Sequence, residues 1–163
     1  MYRVAIITLS DKGARGERED VSGQVIEDMV KEAGYKVVSR QLLSDDRQGL
    51  TDALISLCDS NTAELILTTG GTGFSSRDNA PEATLAACER MAPGIAEAMR
   101  MASLQITPRA MLSRAVSGIR KKTLIVNLPG SPKAVQEALE YLLPHLEHGI
   151  SVLRGNVSEC ARK

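Results

Sequence analysis

Residues 65–84 read LILTTGGTGFSSRDNAPEAT. Leu65, Ile66 and Leu67 make a short apolar run of the kind found in a buried strand. Gly70, Gly71, Thr72 and Gly73 follow at once, then Arg77, Asp78 and Pro81, with Pro81 placed for the first turn of a new helix. A buried strand that opens through glycines into a helix presents backbone N–H groups to an anion. Glycine permits positive φ and lets a ligand approach the main chain closely. Hydroxyls on Thr68, Thr69, Thr72, Ser75 and Ser76 add donors. The same residues also suit a plain turn. They are not a Walker A loop, since no Gly-Lys-Ser/Thr closes them, and the G-x-G-x-x-G spacing of dinucleotide folds is incomplete.

Moving outward toward the start of the chain, residues 2–9 predict a first strand. Val4, Ala5, Ile6, Ile7 and Leu9 form a nearly continuous apolar run, as in a strand covered on both faces. It ends at Ser10-Asp11, and the polar segment KGARGERED reads as an exposed loop. Val21, Val25, Ile26, Met29 and Val30 recur at helical spacing over 21–33, with Asp20 as N-cap and Gly34 as the stop. Residues 35–43 predict the second strand. After Ser44, Asp45 and Asp46, a helix follows whose apolar face carries Leu50, Ala53, Leu54, Leu57 and Cys58. Either acid can cap that helix. Adjacent acids at the end of a strand also offer a ligand to a magnesium-bound nucleotide. The third strand spans 64–69.

Toward the far end, the pattern predicts a helix over 81–91, punctuation at Pro93-Gly94, and a helix over 95–105 stopped at Thr107-Pro108. A short helical or extended piece covers 111–117. Residues 115–120 and 123–128 flank Lys121-Lys122 and can pair as a hairpin, although that dipeptide is not a favoured tight turn. Leu124, Ile125 and Val126 read as buried strand, ending at Asn127-Leu128-Pro129-Gly130-Ser131-Pro132. A last helix carries Val135, Leu139, Leu142, Leu146, Ile150 and Leu153, with Pro144 expected to kink or divide it. Residues 157–163 read as a frayed tail.

The chain of 163 residues fits one domain. With 43% hydrophobic residues it can fill an ordinary core, but Phe74, Tyr2, Tyr35 and Tyr141 are its only aromatics, so that core is aliphatic. Lys plus Arg equals Asp plus Glu at 20 each, which argues against nucleic-acid binding through phosphates. No apolar run is long enough for a membrane span, and no signal-peptide pattern opens the sequence, so the expected location is cytoplasmic. Cys58, Cys88 and Cys160 show neither zinc nor disulfide spacing. His145 and His148 lack a third ligand nearby and read as solvent-facing. No metal knuckle, repeat or linker appears.

Strands alternating with helices predict an α/β fold: a three-layer, doubly wound, mostly parallel sheet with helices on both faces. In such sheets ligands bind beyond the carboxyl ends of the strands. Four strand ends are then candidates: Ser10-Asp11, Ser44-Asp45, residues 69–78, and residues 127–132. All are rich in hydroxyls, acids, Gly or Pro, and two of them feed helix N-termini. A phosphorylated ligand is the expectation.

LTTGGTGFSSRDNAPEAT, ITPRAMLSRAVSGIR and TLIVNLPGSPKAV together resemble the Mog/MoaB family of molybdopterin adenylyltransferases, which includes the G domains of plant and animal molybdenum-cofactor proteins. IITLSDKGARGERED and VVSRQLLSDD also match, so the resemblance runs over nearly the whole chain. It implies a single molybdopterin-binding domain over 1–163. The implied reaction transfers AMP from Mg-ATP to the terminal phosphate of molybdopterin and releases pyrophosphate. A homotrimer is implied, as is a molybdate-insertion enzyme that receives the product.

By motif, Asp45 and Asp78 match the family's acids, implied to be catalytic and to hold Mg2+. Ser10, Asp11, Thr69, Gly70, Gly71, Thr72 and Gly73 are implied on the nucleotide and phosphate side. Ser103, Ser113, Asn127, Pro129, Gly130 and Ser131 are implied on the pterin side. Asn79-Ala80 and Ser131-Pro132-Lys133 depart from common family residues and bear on fine contacts. Other implied outcomes are a non-catalytic pterin-binding or scaffold module, disfavoured by retention of both acids, and molybdate insertion, for which one domain leaves no room.

Overall fold

The structure, a computed structural model, describes residues 1–156, so the expected frayed tail and Cys160 lie outside the described residues. In chain order the elements are β1 (Arg3–Leu9), α1 (Asp11–Ala14), α2 (Val21–Glu32), β2 (Lys36–Leu43), α3 (Arg47–Asp59), β3 (Leu65–Thr69), α4 (Ala80–Ala87), β4 (Arg90–Met91), α5 (Pro93–Leu104), a 3-10 turn (Pro108–Leu112), β5 (Ser117–Arg120), β6 (Thr123–Leu128) and α6 (Pro132–Arg154). The six strands form one sheet in the order β2-β1-β3-β6-β5-β4. β2, β1, β3 and β6 run parallel, whereas β5 and β4 add antiparallel at one edge.

The apolar runs explain this order. β1, β3 and β6 are the interior strands with the most continuous burial, and β3 and β6 are buried at every residue. Their side chains alternate between two faces, as a pleated strand requires. Val4, Ile6, Leu65, Leu67 and Val126 enter a core with Ile26 and Val30 of α2, Met99 of α5 and Leu139 of α6. Ala5, Ile7, Ile66 and Ile125 enter a second core with Leu50 and Leu54 of α3 and Ala83 and Ala87 of α4. Helices thus cover both faces, giving the expected three-layer, mostly parallel α/β arrangement. Cys58 is core filler in the second of these, where burial pushes its thiol up to about 11. His145 and His148 are exposed.

Several local expectations change. The segment after Ser10 is not wholly loop: its first four residues form α1, because the Ser10 hydroxyl accepts from Gly13 N at 2.9 Å and caps the turn. The helix expected over 81–91 stops at Ala87. Cys88 turns extended, and the N–H groups of Glu89 and Ala92 donate instead to Ile119 and Ser117 of β5, making β4 an edge strand. Pro93-Gly94 begins α5 rather than separating helices, since a proline in the first turn costs no hydrogen bond. Lys121-Lys122 does close a hairpin, with Lys121 at φ 51° and its N–H donated to Glu89 at 2.9 Å. Pro144 does not divide α6, which runs unbroken for 23 residues. Both Pro144 and Glu140, whose carbonyl loses its helical partner, sit on the exposed face where water can replace the bond. Val21, expected on the apolar face of α2, is exposed.

Candidate active site

The strand order reverses between β1 and β3: the chain leaving β1 passes through α2 to β2 on one side of that point, while the chain leaving β3 leads to strands on the other. All four parallel strands end at the same edge. There they open a cleft of about 560 Å3 lined by Ser10, Asp45, Thr69, Gly70, Gly71, Asp78, Gly130 and Ser131, together with Arg18 to Ser22 before and within α2. The N-termini of α2 and α6 both reach this cleft, which favours an anion.

Two hydroxyl bonds fix its floor. Thr69 donates to Pro129 O at 2.5 Å, and Ser22 donates to Gly130 O at 2.7 Å, so the 129–132 turn is held by both β3 and α2. Gly70 and Gly71 adopt φ 90° and 71°. A Cβ on Gly70 would lie 2.5 Å from the Leu9 carbonyl oxygen, so the turn can press against β1 only because this residue has no side chain.

The two adjacent acids after β2 divide their work. Asp46 caps α3 by accepting from Gly49 N at 2.6 Å. Asp45 instead turns into the cleft, and its Oδ2 accepts from Asp11 N at 2.9 Å. Asp11 returns the bond, its Oδ1 accepting from Asp45 N at 3.0 Å. Arg77, from the glycine loop, closes the arrangement with two bonds to the Asp11 carboxylate at 2.9 and 3.0 Å. Asp11 is therefore a strut between strand ends rather than a wall of the cleft. Hydrogen bonds from Arg77 hold its carboxyl down at about 2. Asp45 shifts the other way: burial raises its pKa, opposed by the Asp11 N–H and reinforced by the Asp11 and Asp78 charges. Asp78 accepts from Ser75 N at 2.9 Å through Oδ2.

Among the described residues no three metal-ligating side chains cluster together. Asp45 and Asp78 nevertheless line one cleft, each spending Oδ2 on a backbone N–H and leaving Oδ1 without a hydrogen-bond partner among the described residues. Two carboxylates that line the same cleft, each with one oxygen not engaged by the protein, are the donor type that suits a magnesium ion, which completes its shell with water and substrate phosphates.

The residues expected on the pterin side part company. Gly130 and Ser131 line the main cleft. Ser103, Ser113 and Pro129 line a separate hollow of about 190 Å3 with Arg100, Arg109 and Glu137. Asn127 lines neither. It is fully buried, donating to Thr68 and Thr84 at 2.9 Å each and accepting from Val116 N at 3.2 Å. Both ends of this amide are engaged inside the protein, tying β6 to β3, to α4 and to the segment before β5. Its place inside the apolar run LIVNL was the available signal. Thr72 is buried and Gly73 packs against the Asp78 carboxylate, so neither lines the cleft. Phe74 is exposed on the same loop.

A family model described as "Probable molybdopterin binding domain" matches residues 5–148. The chain belongs to this molybdenum-cofactor biosynthesis family. Its relatives in the family include a molybdopterin adenylyltransferase of Helicobacter pylori, 38% identical over 162 residues that cover 98% of this chain and 92% of that one. Molybdenum cofactor biosynthesis protein B of Escherichia coli is 38% identical over 147 residues, covering 89% of this chain and 85% of that one. Among solved family structures, the molybdopterin biosynthesis enzyme MoaB of Thermus thermophilus superposes with a TM-score of 0.90 at 45% identity, covering 95% of this chain and 98% of that one. None of the described helices is long and apolar enough to cross a membrane.

Proposed function

We propose that this chain is a molybdopterin adenylyltransferase, transferring AMP from ATP to the terminal phosphate of molybdopterin and releasing pyrophosphate. The observation that carries the reading is the single cleft at the strand-order reversal where Asp45, Asp78, the Gly70-Gly71 turn and two helix N-termini converge.

The chemistry asks little of side-chain nucleophiles. A phosphate oxygen of molybdopterin attacks the α-phosphorus of ATP, and the bond to the bridging oxygen of pyrophosphate breaks. The protein's task is to bring two anions together in line and to balance charge in the transition state. Backbone N–H groups around the glycine turn and at the start of α6 supply fixed donors. Asp45 and Asp78 would hold Mg2+, which when bound supplies positive charge to the triphosphate. The rigid frame of Asp11, Arg77 and the Ser22 and Thr69 bonds keeps the strand ends in register.

Incubation with molybdopterin and Mg-ATP tests the reading. Pyrophosphate release that requires both substrates is expected, whereas pterin binding without release would assign the chain to a non-catalytic module. Because burial raises the Asp45 pKa, activity should fall as pH drops through a value above the ordinary carboxylate range of about 4. A profile of kcat/KM against pH, at magnesium well below saturation, checks this. An acid limb below that range would remove Asp45 as the titrating group.

Assembly as a homotrimer belongs to the same proposal. Met101 and Leu104 of α5, Ile106 just after it, and Met111 and Leu112 of the 3-10 turn expose large apolar side chains, the kind of surface that a neighbouring subunit covers. Sedimentation should give three times the chain mass, and a monomer at micromolar concentration would defeat the assignment.

A further inference from the structure

The loop that carries Asp78 is braced from below by a residue outside it. Arg114 lies between the 3-10 turn and β5, and its backbone N–H donates to Thr72 O at 2.9 Å. Its guanidinium then spans the loop. Nε donates to Gly73 O at 2.7 Å, Nη2 donates to Asp78 O at 2.7 Å, and Nη1 pairs with Glu82 in the first turn of α4. Three acceptors on three successive pieces of backbone and helix meet one planar fork. A lysine cannot match this, because its ammonium is a point charge on a flexible stem. Arg114 also holds the Glu82 carboxyl below its ordinary value. The other Glu82 oxygen, Oε2, is buried with no partner among the described residues, so Arg114 is this acid's main compensation.

We propose that Arg114 is the positioning residue of the site: it touches no substrate, but sets the backbone of Asp78 and thereby the direction of the Asp78 carboxylate. This rests on the adenylyl-transfer reading above. The loop has closing bonds of its own, from Ser75 N to Asp78 Oδ2 at 2.9 Å, Asp78 N to Ser75 O at 2.9 Å and Ala80 N to Gly71 O at 3.0 Å. Those bonds shape the turn. The Arg114 fork anchors the turn to the β5–β6 side of the sheet.

The test compares Arg114→Ala and Arg114→Lys with the unaltered protein, by steady-state kinetics and by amide hydrogen exchange. For Arg114→Ala, kcat should fall about a hundredfold, the scale of an ångström-sized misplacement, with KM for ATP and for molybdopterin changed less than about threefold. Arg114→Lys should recover little of it. Added methylguanidinium should restore at least about a tenth of the loss in Arg114→Ala by refilling the fork, and should do nothing for an Asp78→Asn variant. The amides of Ser75, Asp78 and Ala80 should lose protection while those of β3 and β6 keep theirs. An active unaltered protein whose Arg114→Ala variant keeps kcat, loses only KM, or ignores methylguanidinium would overturn the assignment. If the unaltered protein releases no pyrophosphate, the adenylyl-transfer reading fails by itself. In that case retained protection at residues 75–80 in both variants would still overturn the brace, and selective loss there would uphold it. Should Arg114→Ala not fold, Arg114→Lys carries the same kinetic and exchange comparison.

Discussion

Asp45→Asn and Asp78→Asn are each expected to lower AMP transfer by about a hundredfold or more while leaving molybdopterin binding in place. Asparagine nearly matches the carboxylate in size. In each case its carbonyl oxygen can take over the backbone bond now made by Oδ2, to Asp11 N for residue 45 and to Ser75 N for residue 78. The frame therefore stays built. What disappears is one negative charge and one oxygen facing the cleft, replaced by an amide NH2 that repels a cation. Single-turnover pyrophosphate release, with pterin affinity measured in parallel, separates these effects. If both variants transfer AMP at near-normal rates, neither acid has the proposed role. If pterin affinity collapses with the rate, the substitution has disturbed the cleft itself.

Gly70→Ala is expected to destabilise the fold by about 3 kcal/mol, combining a strained left-handed backbone with a forced clash. For a domain of this size that corresponds to a fall in Tm of roughly 6–12 °C. The obstacle is the Leu9 carbonyl oxygen, 2.5 Å from the added Cβ, and Leu9 belongs to a strand buried on both faces. Neither side can give without opening the β1–β3 contact at the cleft. Gly149→Ala is the matching control. Gly149 lies within α6 with nothing near its missing Cβ and an ordinary φ, so alanine there should be neutral or stabilising by up to about 1 kcal/mol. Thermal unfolding of the two variants checks the contrast, and equal Tm values would refute it.

The sequence made the fold legible where one physical signal dominated. The apolar runs at 4–7, 65–67 and 124–126 became the buried centre of the sheet, and Asp20, Gly34 and Pro132 marked helix ends as expected. It was illegible where the deciding partner was distant. Arg90 and Met91 have no strand pattern of their own, and they pair because Ile119 and Gly118 stand beside them. Pro144 looked like a break because local chemistry takes no account of which helix face meets water. In the site, the strand ends were visible as motifs, but their inner wiring was not. Asp11 and Asn127 carry functional side-chain types, yet each is engaged by bonds to residues 11 to 66 positions away. Arg114 sat within a motif without any local hint of its three acceptors.

The pairing of β3 with β6 has a consequence for how the cleft comes into being. These central neighbours are drawn from parts of the chain about 59 residues apart, and Gly130 and Ser131 follow β6. Closing so long a loop costs chain entropy before any contact repays it. On a ribosome, Asp45 and the glycine turn emerge well before the strand that seats beside them. A nascent chain ending short of residue 128 therefore carries both acids and has nowhere to use them.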